Sequence, residues 1–398
     1  MSCGLQVEDD NSLGTNEFMS LCYLLGAEPY LAGNVGSGTP QELCDWLEYC
    51  NSARDTTLTR ERKANGATQP FGVRLWGVGN ENWGCGGNFD ADTYAFEYRR
   101  FATMLRHVDP TAELVACGHD DLWNAQLLDA LGRNLKLVDH LSIHRYWGKG
   151  GDALEFDDEQ YYTLLADAHA TESFVQRTAQ LIAEVAPPGK RIGVALDEWG
   201  VWHPEARLQP ESCDGCSGHP FEQRSTLRDA LAAAVALEGF HRQCAVLSLA
   251  NLAQVVNVLQ AVVVTEGAGM FVTPTYHAFR LHATHLGASA VRVDIGEGDE
   301  LAAGGPAVSG TASVAGDGSM AITVINRHRS EAADVCVDFR TNVHSASGQI
   351  LTAASPRARN TIEEPDAVVP KSLPVGPENR RACRVELPPH SMATLRVR

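Results

Sequence analysis

Residues 73–84 read Val-Arg-Leu-Trp-Gly-Val-Gly-Asn-Glu-Asn-Trp-Gly, and residues 193–202 read Gly-Val-Ala-Leu-Asp-Glu-Trp-Gly-Val-Trp. Each segment begins with a short apolar run, which is typical of a strand buried on both faces of a parallel sheet. Each run leads to a glutamate, Glu81 in the first segment and Glu198 in the second. In a (β/α)8 barrel the catalytic groups lie where such strands end. The two segments therefore predict a pair of carboxylates at the C-terminal face of an α/β barrel.

Strand and helix patterns alternate along the first 286 residues, which indicates a parallel α/β architecture. Strands are predicted within 28–34, 73–81, 114–118, 137–146, 192–198 and 246–249. Helices are predicted within 15–25, 39–50, 94–105, 124–131, about 160–185 and 226–239. The sequence Thr-Pro-Gln-Glu at 39–42 is a capping box with proline at the first helical position. Residues 51–70 are charged and polar and are expected to form a long excursion.

The hydrophobic period changes to two beyond Leu286, which is typical of an antiparallel β-sandwich. The alternating residues are Ile322 and Val324, then Val335, Val337 and Phe339, then Cys383, Val385 and Leu387, then Ala393, Leu395 and Val397. We therefore predict a TIM-type catalytic barrel with about six βα units over residues 1–286. An all-β sandwich is predicted over residues 287–398.

Composition restricts the classes of partner. The chain has 398 residues and a formal net charge of −18, so nucleic acid and anionic membranes are excluded as expected partners. The most apolar segment, residues 246–264, contains four Asn and Gln residues and is expected to be a buried soluble segment and not a membrane span. No signal peptide pattern follows Met1.

The 11 cysteines are odd in number and scattered, which favours reduced thiols and a cytoplasmic location. Cys213 and Cys216 have metal-ligand spacing, but one such pair is half a zinc site and a plain loop is the favoured interpretation. P-loop, dinucleotide-binding, His-Glu-x-x-His and Gly-x-Ser-x-Gly motifs are absent from the sequence, so no metal or redox cofactor is expected.

Asn80-Glu81 is the sharpest chemical signal. Two carboxylates on separate strand ends are what glycoside hydrolysis needs, and one of them, the general acid, must carry a proton. Apolar walls such as Trp76 and Trp83, or a second carboxylate, are expected to raise the pKa of that acid. We predict that Asn80 hydrogen-bonds a sugar hydroxyl and that Trp83 stacks on a sugar face. The alternatives are a helix-capping Asn-Glu pair and plain packing of the tryptophan at the barrel rim.

Glu198 is the second carboxylate and is expected to stay ionised as a nucleophile; the alternative is a surface glutamate after a strand. His144 and Tyr146 alternate on one strand, so both can point the same way, with Tyr146 bonded to the nucleophile. A satisfied core histidine is the alternative for His144. The remaining candidates for sugar contacts are Trp199, which could equally pack at the rim, and Asn251 and Gln254, which could equally cap the next segment.

These motifs resemble those of glycoside hydrolase family fifty-one, the α-L-arabinofuranosidases. The matching segments are 17–30, Gly-Ser-Gly-Thr-Pro at 36–40, Trp-Gly-Val-Gly-Asn-Glu-Asn-Trp-Gly at 76–84, Ser-Ile-His-Arg-Tyr at 142–146, Asp-Glu-Trp-Gly-Val-Trp at 197–202 and Asn-Leu-Ala-Gln-Val-Val-Asn-Val at 251–258. The resemblance implies a (β/α)8 barrel with a β-sandwich and a retaining mechanism. It also implies that Glu81 is the acid/base, that Glu198 is the nucleophile, and that Asn80, Tyr146 and Gln254 contact the sugar or the nucleophile.

The chain departs from this family pattern at its start. In the family the acid/base follows the fourth strand, so the strand within 28–34 corresponds to the third. Strands one and two, which carry a glutamate and an asparagine that hold the arabinose, have no counterpart in this sequence. The N-terminal strand that joins the sandwich in this family also has no counterpart in this sequence. About 60 residues or more of a full barrel are therefore expected to be absent, which would expose sheet edges and apolar surface.

The resulting hypothesis is a retaining exo-glycosidase that removes terminal α-L-arabinofuranosyl groups from arabinan or arabinoxylan oligosaccharides, with its two carboxyl groups about 5–5.5 Å apart. One alternative is a truncated, inactive carbohydrate-binding remnant. Another is a different retaining barrel glycosidase, such as a β-xylosidase or an endoglucanase. Related enzymes often form homo-oligomers, and the sequence contains no motif that decides this point.

Overall fold

The computed structural model describes residues 12–207, 221–296 and 298–398. The Cys213–Cys216 pair lies outside these ranges, so its interpretation as a plain loop stays a prediction. The chain divides into two compact units, which are described separately. One contains Met1–His144 and Gln176–Asp197, and the other contains Arg145–Val175 and Glu198–Arg398. The predicted domain boundary near Leu286 also stays a prediction.

The main sheet consists of six strands that follow one another in chain order. They are β1 (Tyr30–Gly33), β2 (Leu75–Val78), β3 (Glu113–Ala116), β4 (His140–Trp147), β5 (Gly193–Val201) and β6 (Leu247–Leu252). β1 pairs with β2, β2 with β3 and β3 with β4, each in parallel. All four residues of β2 are buried, as its apolar sequence requires. Every predicted barrel strand is present, and the expected parallel α/β sheet is confirmed.

Helices lie before, between and after these strands. They are α1 (Thr15–Leu25), α2 (Pro40–Asn51), α3 (Thr57–Ala64), α4 (Ala91–Val108), α5 (Asp121–Leu131), α6 (Asp158–His169), α7 (Thr171–Val185), α8 (Leu227–Arg242) and α9 (Pro274–His282). The capping box of α2 is formed: the Thr39 hydroxyl accepts from the Glu42 N–H at 3.3 Å, and the Glu42 carboxylate accepts from the Thr39 N–H at 2.6 Å. No described helix is long and apolar enough to cross a membrane.

Two helical segments differ from the sequence-based expectation. The polar segment 51–70, expected to be a long excursion, contains α3. This helix buries the polar residues Thr59 and Arg62, so its sequence lacks the hydrophobic periodicity by which a helix is predicted. The buried Arg62 guanidinium donates to the carbonyls of Tyr49 and Ser52 at 2.6 and 3.0 Å. The single helix expected over about 160–185 is divided into α6 and α7 at Ala170.

The C-terminal part forms two packed antiparallel sheets, as the period of two predicts. One has the order β14-β13-β17-β11-β10-β9 and the other the order β12-β16-β15. The strands are β9 (Ser289–Val291), β10 (Val308–Val314), β11 (Met320–Asn326), β12 (Ala333–Asp338), β13 (Ala346–Leu351), β14 (Lys371–Leu373), β15 (Gly376–Asn379), β16 (Ala382–Leu387) and β17 (Ser391–Val397). Apolar side chains of both sheets share one core, among them Ile322, Leu395 and Val385. A separate hairpin, β7 (Val263–Glu266) with β8 (Gly269–Val272), follows β6.

Candidate active site

Glu81 lies just beyond the end of β2, in a tight turn. Its φ of 46° is left-handed, a conformation that non-glycine residues rarely adopt and that clusters at functional sites. Gly79 has a φ of 94°, and a Cβ at this position would lie 1.9 Å from the Asn82 side-chain oxygen. The Asn82 amide in turn donates to the Gly86 carbonyl at 2.7 Å. The turn therefore holds the Glu81 backbone in place through a buried asparagine, while Asn80 is exposed.

The Glu81 carboxylate has two side-chain partners. His144 Nδ1 lies 2.9 Å from Oε1, and the Cys85 thiol donates to Oε2 at 3.4 Å. The His144 hydrogen bond is the largest influence on the Glu81 pKa and lowers it, against desolvation, which raises it; the charge of His144 lowers it further. The sequence-based expectation of a raised pKa is therefore wrong for this state of the protein.

The two tryptophans expected to wall the acid have other contacts. Trp76 is fully buried, donates to the Val73 carbonyl at 2.9 Å and packs edge-on against Trp46, so it belongs to the core. Trp83 is half-buried and stacks on the His119 ring, with 3.9 Å between ring centres. Its role in stacking on a sugar stays a prediction.

His144 connects Glu81 to a second carboxylate, Asp197. His144 Nε2 lies 3.3 Å from Asp197 Oδ1, which also accepts from the Ser142 hydroxyl at 2.5 Å. The other oxygen, Oδ2, accepts from the Tyr30 hydroxyl at 2.9 Å. Burial, together with the charge of Asp197, raises the pKa of Tyr30 well above its usual range, so this phenol stays a donor. Asp197 thus anchors the ring that holds Glu81.

Glu198, which follows Asp197 on β5, lies in the second unit. The Tyr146 hydroxyl donates to Glu198 Oε2 at 2.7 Å, a charge-assisted hydrogen bond. The Tyr146 ring packs edge-on against Trp202, with 5.0 Å between ring centres, and Trp202 packs against Phe221. This aromatic packing fixes the direction of the tyrosine hydroxyl.

Trp199 is not available for a sugar. It is fully buried among Trp147, Phe240 and Phe279, with ring centres 5.7, 5.0 and 5.8 Å away. Successive side chains of a strand point to opposite faces, so the residue after Glu198 faces the core. The prediction that Trp199 stacks on the substrate is corrected to a packing role.

Asn251 and Gln254 are both exposed, at the end of β6 and just beyond it. The Gln254 N–H donates to the Val258 carbonyl at 3.2 Å, and the Ala253–Gln254 peptide bond is cis. Their contacts with a sugar stay predictions. The nearby Gln260 is fully buried: its side chain accepts from the Val201 N–H at 2.8 Å and donates to the Asp229 carbonyl at 2.8 Å. Gln260 thus ties the end of β5 to α8.

Comparison with known proteins decides the family. Models of the α-L-arabinofuranosidase 1 domain and the α-L-arabinofuranosidase C-terminal domain match residues 4–159 and 197–391. An intracellular exo-α-L-arabinofuranosidase of Bacteroides ovatus is 35% identical over 404 residues, covering 98% of this chain and 76% of that protein. The crystal structure of the GH51 arabinofuranosidase from Xanthomonas axonopodis pv. citri matches with a TM-score of 0.88 and 32% identity, over 98% of this chain and 80% of that one. The chain belongs to glycoside hydrolase family fifty-one. An α-L-arabinofuranosidase from Thermotoga maritima in complex with arabinose matches with a TM-score of 0.85 and 28% identity, over 98% of this chain and 80% of that one.

Membership of family fifty-one confirms the resemblance and the assignment as a glycoside hydrolase. It also agrees with the parallel sheet and the sandwich. The roles of individual residues stay predictions, and the contacts of each glutamate provide their physical basis.

Sequence reasoning missed four residues that shape this family fifty-one site: Tyr30, Ser142, Asp197 as an anchor, and Cys85. Ser142 had a detectable signal, because it precedes His144 and Tyr146 at the same period of two on β4. Tyr30 had none, because it is separated from Asp197 by 167 residues and only the folded sheet brings them together.

Proposed function

We propose that this chain is a retaining exo-α-L-arabinofuranosidase in which Glu81 is the acid/base and Glu198 the nucleophile. The observation that carries the proposal is that one strand, β4, supplies the partner of each glutamate: His144 bonds Glu81 and Tyr146 bonds Glu198. Each carboxylate at a strand end therefore has its own donor. A glycosidase that uses two carboxylates requires each of them to be held for its own role.

Glu198 attacks in the first step. Its carboxylate oxygen forms a bond to the anomeric carbon of the arabinofuranosyl group, and the glycosidic C–O bond breaks. The leaving oxygen takes a proton from Glu81. Tyr146 orients Glu198 for this attack through the 2.7 Å bond to Oε2.

Glu81 takes up the proton that it needs when the sugar binds. In the unliganded site the hydrogen bond and the charge of His144 lower the pKa of Glu81. A sugar that displaces water from the carboxylate removes its solvation, which favours the protonated form and raises the pKa of Glu81. The proton comes from solvent, and His144, 2.9 Å away, orients the carboxylate without taking part in the transfer.

The second step uses Glu81 as a base. Its carboxylate takes a proton from water, the water oxygen bonds to the anomeric carbon, and the ester bond to Glu198 breaks to release arabinose. The hydrogen bonds from His144 and Cys85 stabilise the ionised form that this step requires. Double displacement retains the anomeric configuration.

The substrate we propose is an arabinose-containing oligosaccharide of the arabinan or arabinoxylan type, and Asn80, Trp83, Asn251 and Gln254 are the proposed contacts. The family's action on sugars supports a carbohydrate partner. We also propose a cytoplasmic location, which is supported by the relative from Bacteroides ovatus that is named intracellular. Fractionation of the source cells, followed by detection with an antibody, tests the location.

Hydrolysis of an aryl α-L-arabinofuranoside by the wild-type chain and by Glu198→Ala tests the activity. The exposed Glu266→Ala is the matched control, because it removes a glutamate from the surface of a strand end. We expect activity in the wild type and the control and loss in Glu198→Ala. Full activity in Glu198→Ala, or binding of arabinose oligosaccharides without turnover by the wild type, contradicts the proposal. Proton NMR of the first product formed in methanol tests retention.

A further inference from the structure

Three histidines meet in the second unit, away from Glu198 and Tyr146. His241 lies in the last turn of α8, His282 ends α9, and His285 lies in the short 3₁₀ turn Ala283–His285. His282 and His285 are three residues apart, so they lie on one side of this helical segment. The ring centres are separated by 4.7 Å between His241 and His285, 4.8 Å between His282 and His285, and 6.0 Å between His241 and His282.

These separations match those of imidazoles around one metal ion. Metal–nitrogen bonds of about 2.0–2.1 Å in a tetrahedral site place the ring centres of the ligands roughly 5 Å apart. One nitrogen of each ring lies within 4.8 Å of the others. Ligand nitrogens of a tetrahedral ion are roughly 3.3 Å apart. To bind one ion, the nitrogens must therefore approach one another by at most roughly 1.5 Å.

The hydrogen bonds around the cluster orient two of the rings. His241 Nδ1 lies 2.6 Å from the Thr311 hydroxyl, which leaves Nε2 for a ligand bond. This is the usual arrangement around metal-binding histidines, where a partner of the other nitrogen fixes the tautomer. His285 lies 2.7 Å from the Ser313 hydroxyl through Nδ1 and 2.8 Å from the Thr323 hydroxyl through Nε2. Ligation by His285 exchanges one of these hydroxyl contacts for a metal bond.

His282 provides a second, independent observation at this cluster. Its Nδ1 is buried and has no hydrogen-bond partner among the described residues. A buried polar atom without a partner is uncommon and has a cost, which a metal bond would remove. Simple packing of three satisfied core histidines explains the other two rings but leaves this nitrogen unexplained.

Arg242, the cationic residue that follows His241 on α8, is paired with the Glu172 carboxylate at 3.0 and 2.7 Å, so its charge is compensated locally.

We propose that His241, His282 and His285 bind one divalent transition-metal ion of the zinc class, which joins the ends of α8 and α9. Imidazole ligands suit zinc, copper and nickel. The hydroxyls of Thr311 and Ser313, which alternate on β10, support the ring nitrogens, so the ion also ties these helices to the sandwich. The role is structural, and no catalytic step depends on it. The sequence shows only His-Ala-Thr-His at 282–285, half of a ligand set.

The experiment is a titration of the chelator-treated full chain with Zn²⁺, followed by isothermal calorimetry and by thermal unfolding. Three proteins accompany the wild type: His282→Gln, the exposed-histidine control His107→Gln, and the double variant Cys213→Ser/Cys216→Ser. We expect one ion per wild-type chain and a zinc-dependent rise in Tm. Both should be retained in the His107 and cysteine variants, with binding at least about tenfold weaker in His282→Gln.

A second measurement keeps the test decisive if His282→Gln fails to fold. Co²⁺ added to the wild type should give the visible d–d bands of a tetrahedral site without a thiolate charge-transfer band in the near ultraviolet. Binding that persists unchanged in a folded His282→Gln, loss of binding in the cysteine variant, or a thiolate band would each overturn the proposal. So would a wild-type chain that binds no Zn²⁺.

Discussion

Replacement of His144 by phenylalanine tests whether His144 lowers the pKa of Glu81. The imidazole side chain is only 7% exposed, and phenylalanine fills its space without a donor for Glu81 or Asp197. Two influences of His144 that lower the pKa of Glu81, the hydrogen bond and the charge, disappear, while desolvation, which raises it, remains. The pKa of Glu81 therefore rises in His144→Phe.

The sign of the effect on the pH profile follows from the role of Glu81. As the acid of the first step Glu81 must be protonated, so activity falls as the pH rises through its pKa. The alkaline limb of kcat/KM moves to higher pH in His144→Phe. The hydrogen bond from Tyr146 to Glu198 is untouched by this change.

The loss of kcat/KM at the optimal pH is limited by the contribution of the hydrogen bond between His144 and Glu81. A hydrogen bond to a charged group contributes about 1.5–3 kcal/mol. Since about 1.4 kcal/mol is a factor of ten in rate, the orienting effect of His144 is worth at most roughly ten- to 150-fold in kcat/KM. Larger losses would mean that His144 itself takes part in the chemistry.

The assay is kcat/KM for an aryl α-L-arabinofuranoside between pH 4 and 10, and His140→Phe is the matched control. His140 lies on the same strand and forms the same kind of pair, with 2.8 Å between its Nε2 and the Glu113 carboxylate. The control should leave both limbs unchanged. An alkaline limb that stays in place or moves to lower pH in His144→Phe refutes the reasoning.

Three further predictions concern single side chains. Tyr146→Phe removes the 2.7 Å bond to Glu198 and should lower kcat/KM by about ten- to 150-fold in steady-state assays; a change below twofold contradicts it. Cys85→Ala removes a weak thiol donor to Glu81 and should shift the alkaline limb upward by less than His144→Phe does; an equal or opposite shift contradicts it. Glu238→Gln concerns stability: burial raises the pKa of Glu238 from 4.5 to about 7, so the wild type loses about 3 kcal/mol as the pH rises between these values. Gln cannot ionise, so the fall in Tm between pH 5 and pH 8 should be smaller in the variant, and an identical fall would contradict this.

Local patterns in the sequence were sufficient for the order of the elements. The apolar runs before Glu81 and Glu198 predicted β2 and β5, and the capping box at Thr39 predicted the start of α2. These features depend on contacts within a few residues, so they can be read without knowledge of the tertiary structure. The period of two likewise predicted the sandwich strands, because it reflects alternation within each strand.

Which side of a strand a residue faces was harder to predict. Trp199 was expected at the substrate, but it lies in the core because Glu198 occupies the other face. Both faces of a buried barrel strand are apolar, so the sequence pattern of β5 does not distinguish them. The direction of the Glu81 pKa was also missed, because it depends on His144, which is 63 residues away in the chain.

The sequence by itself determined the family, the position of the two glutamates at the ends of strands, and the alternation of strands and helices. Each of these features is encoded in short motifs. Only the tertiary structure decided that Tyr30 and Ser142 hold Asp197, and that His241 meets His282 and His285. Such contacts join residues far apart in the chain. Their distances and pKa shifts are set by how the strands and helices pack, and packing at long sequence separation leaves no periodic signal in the sequence.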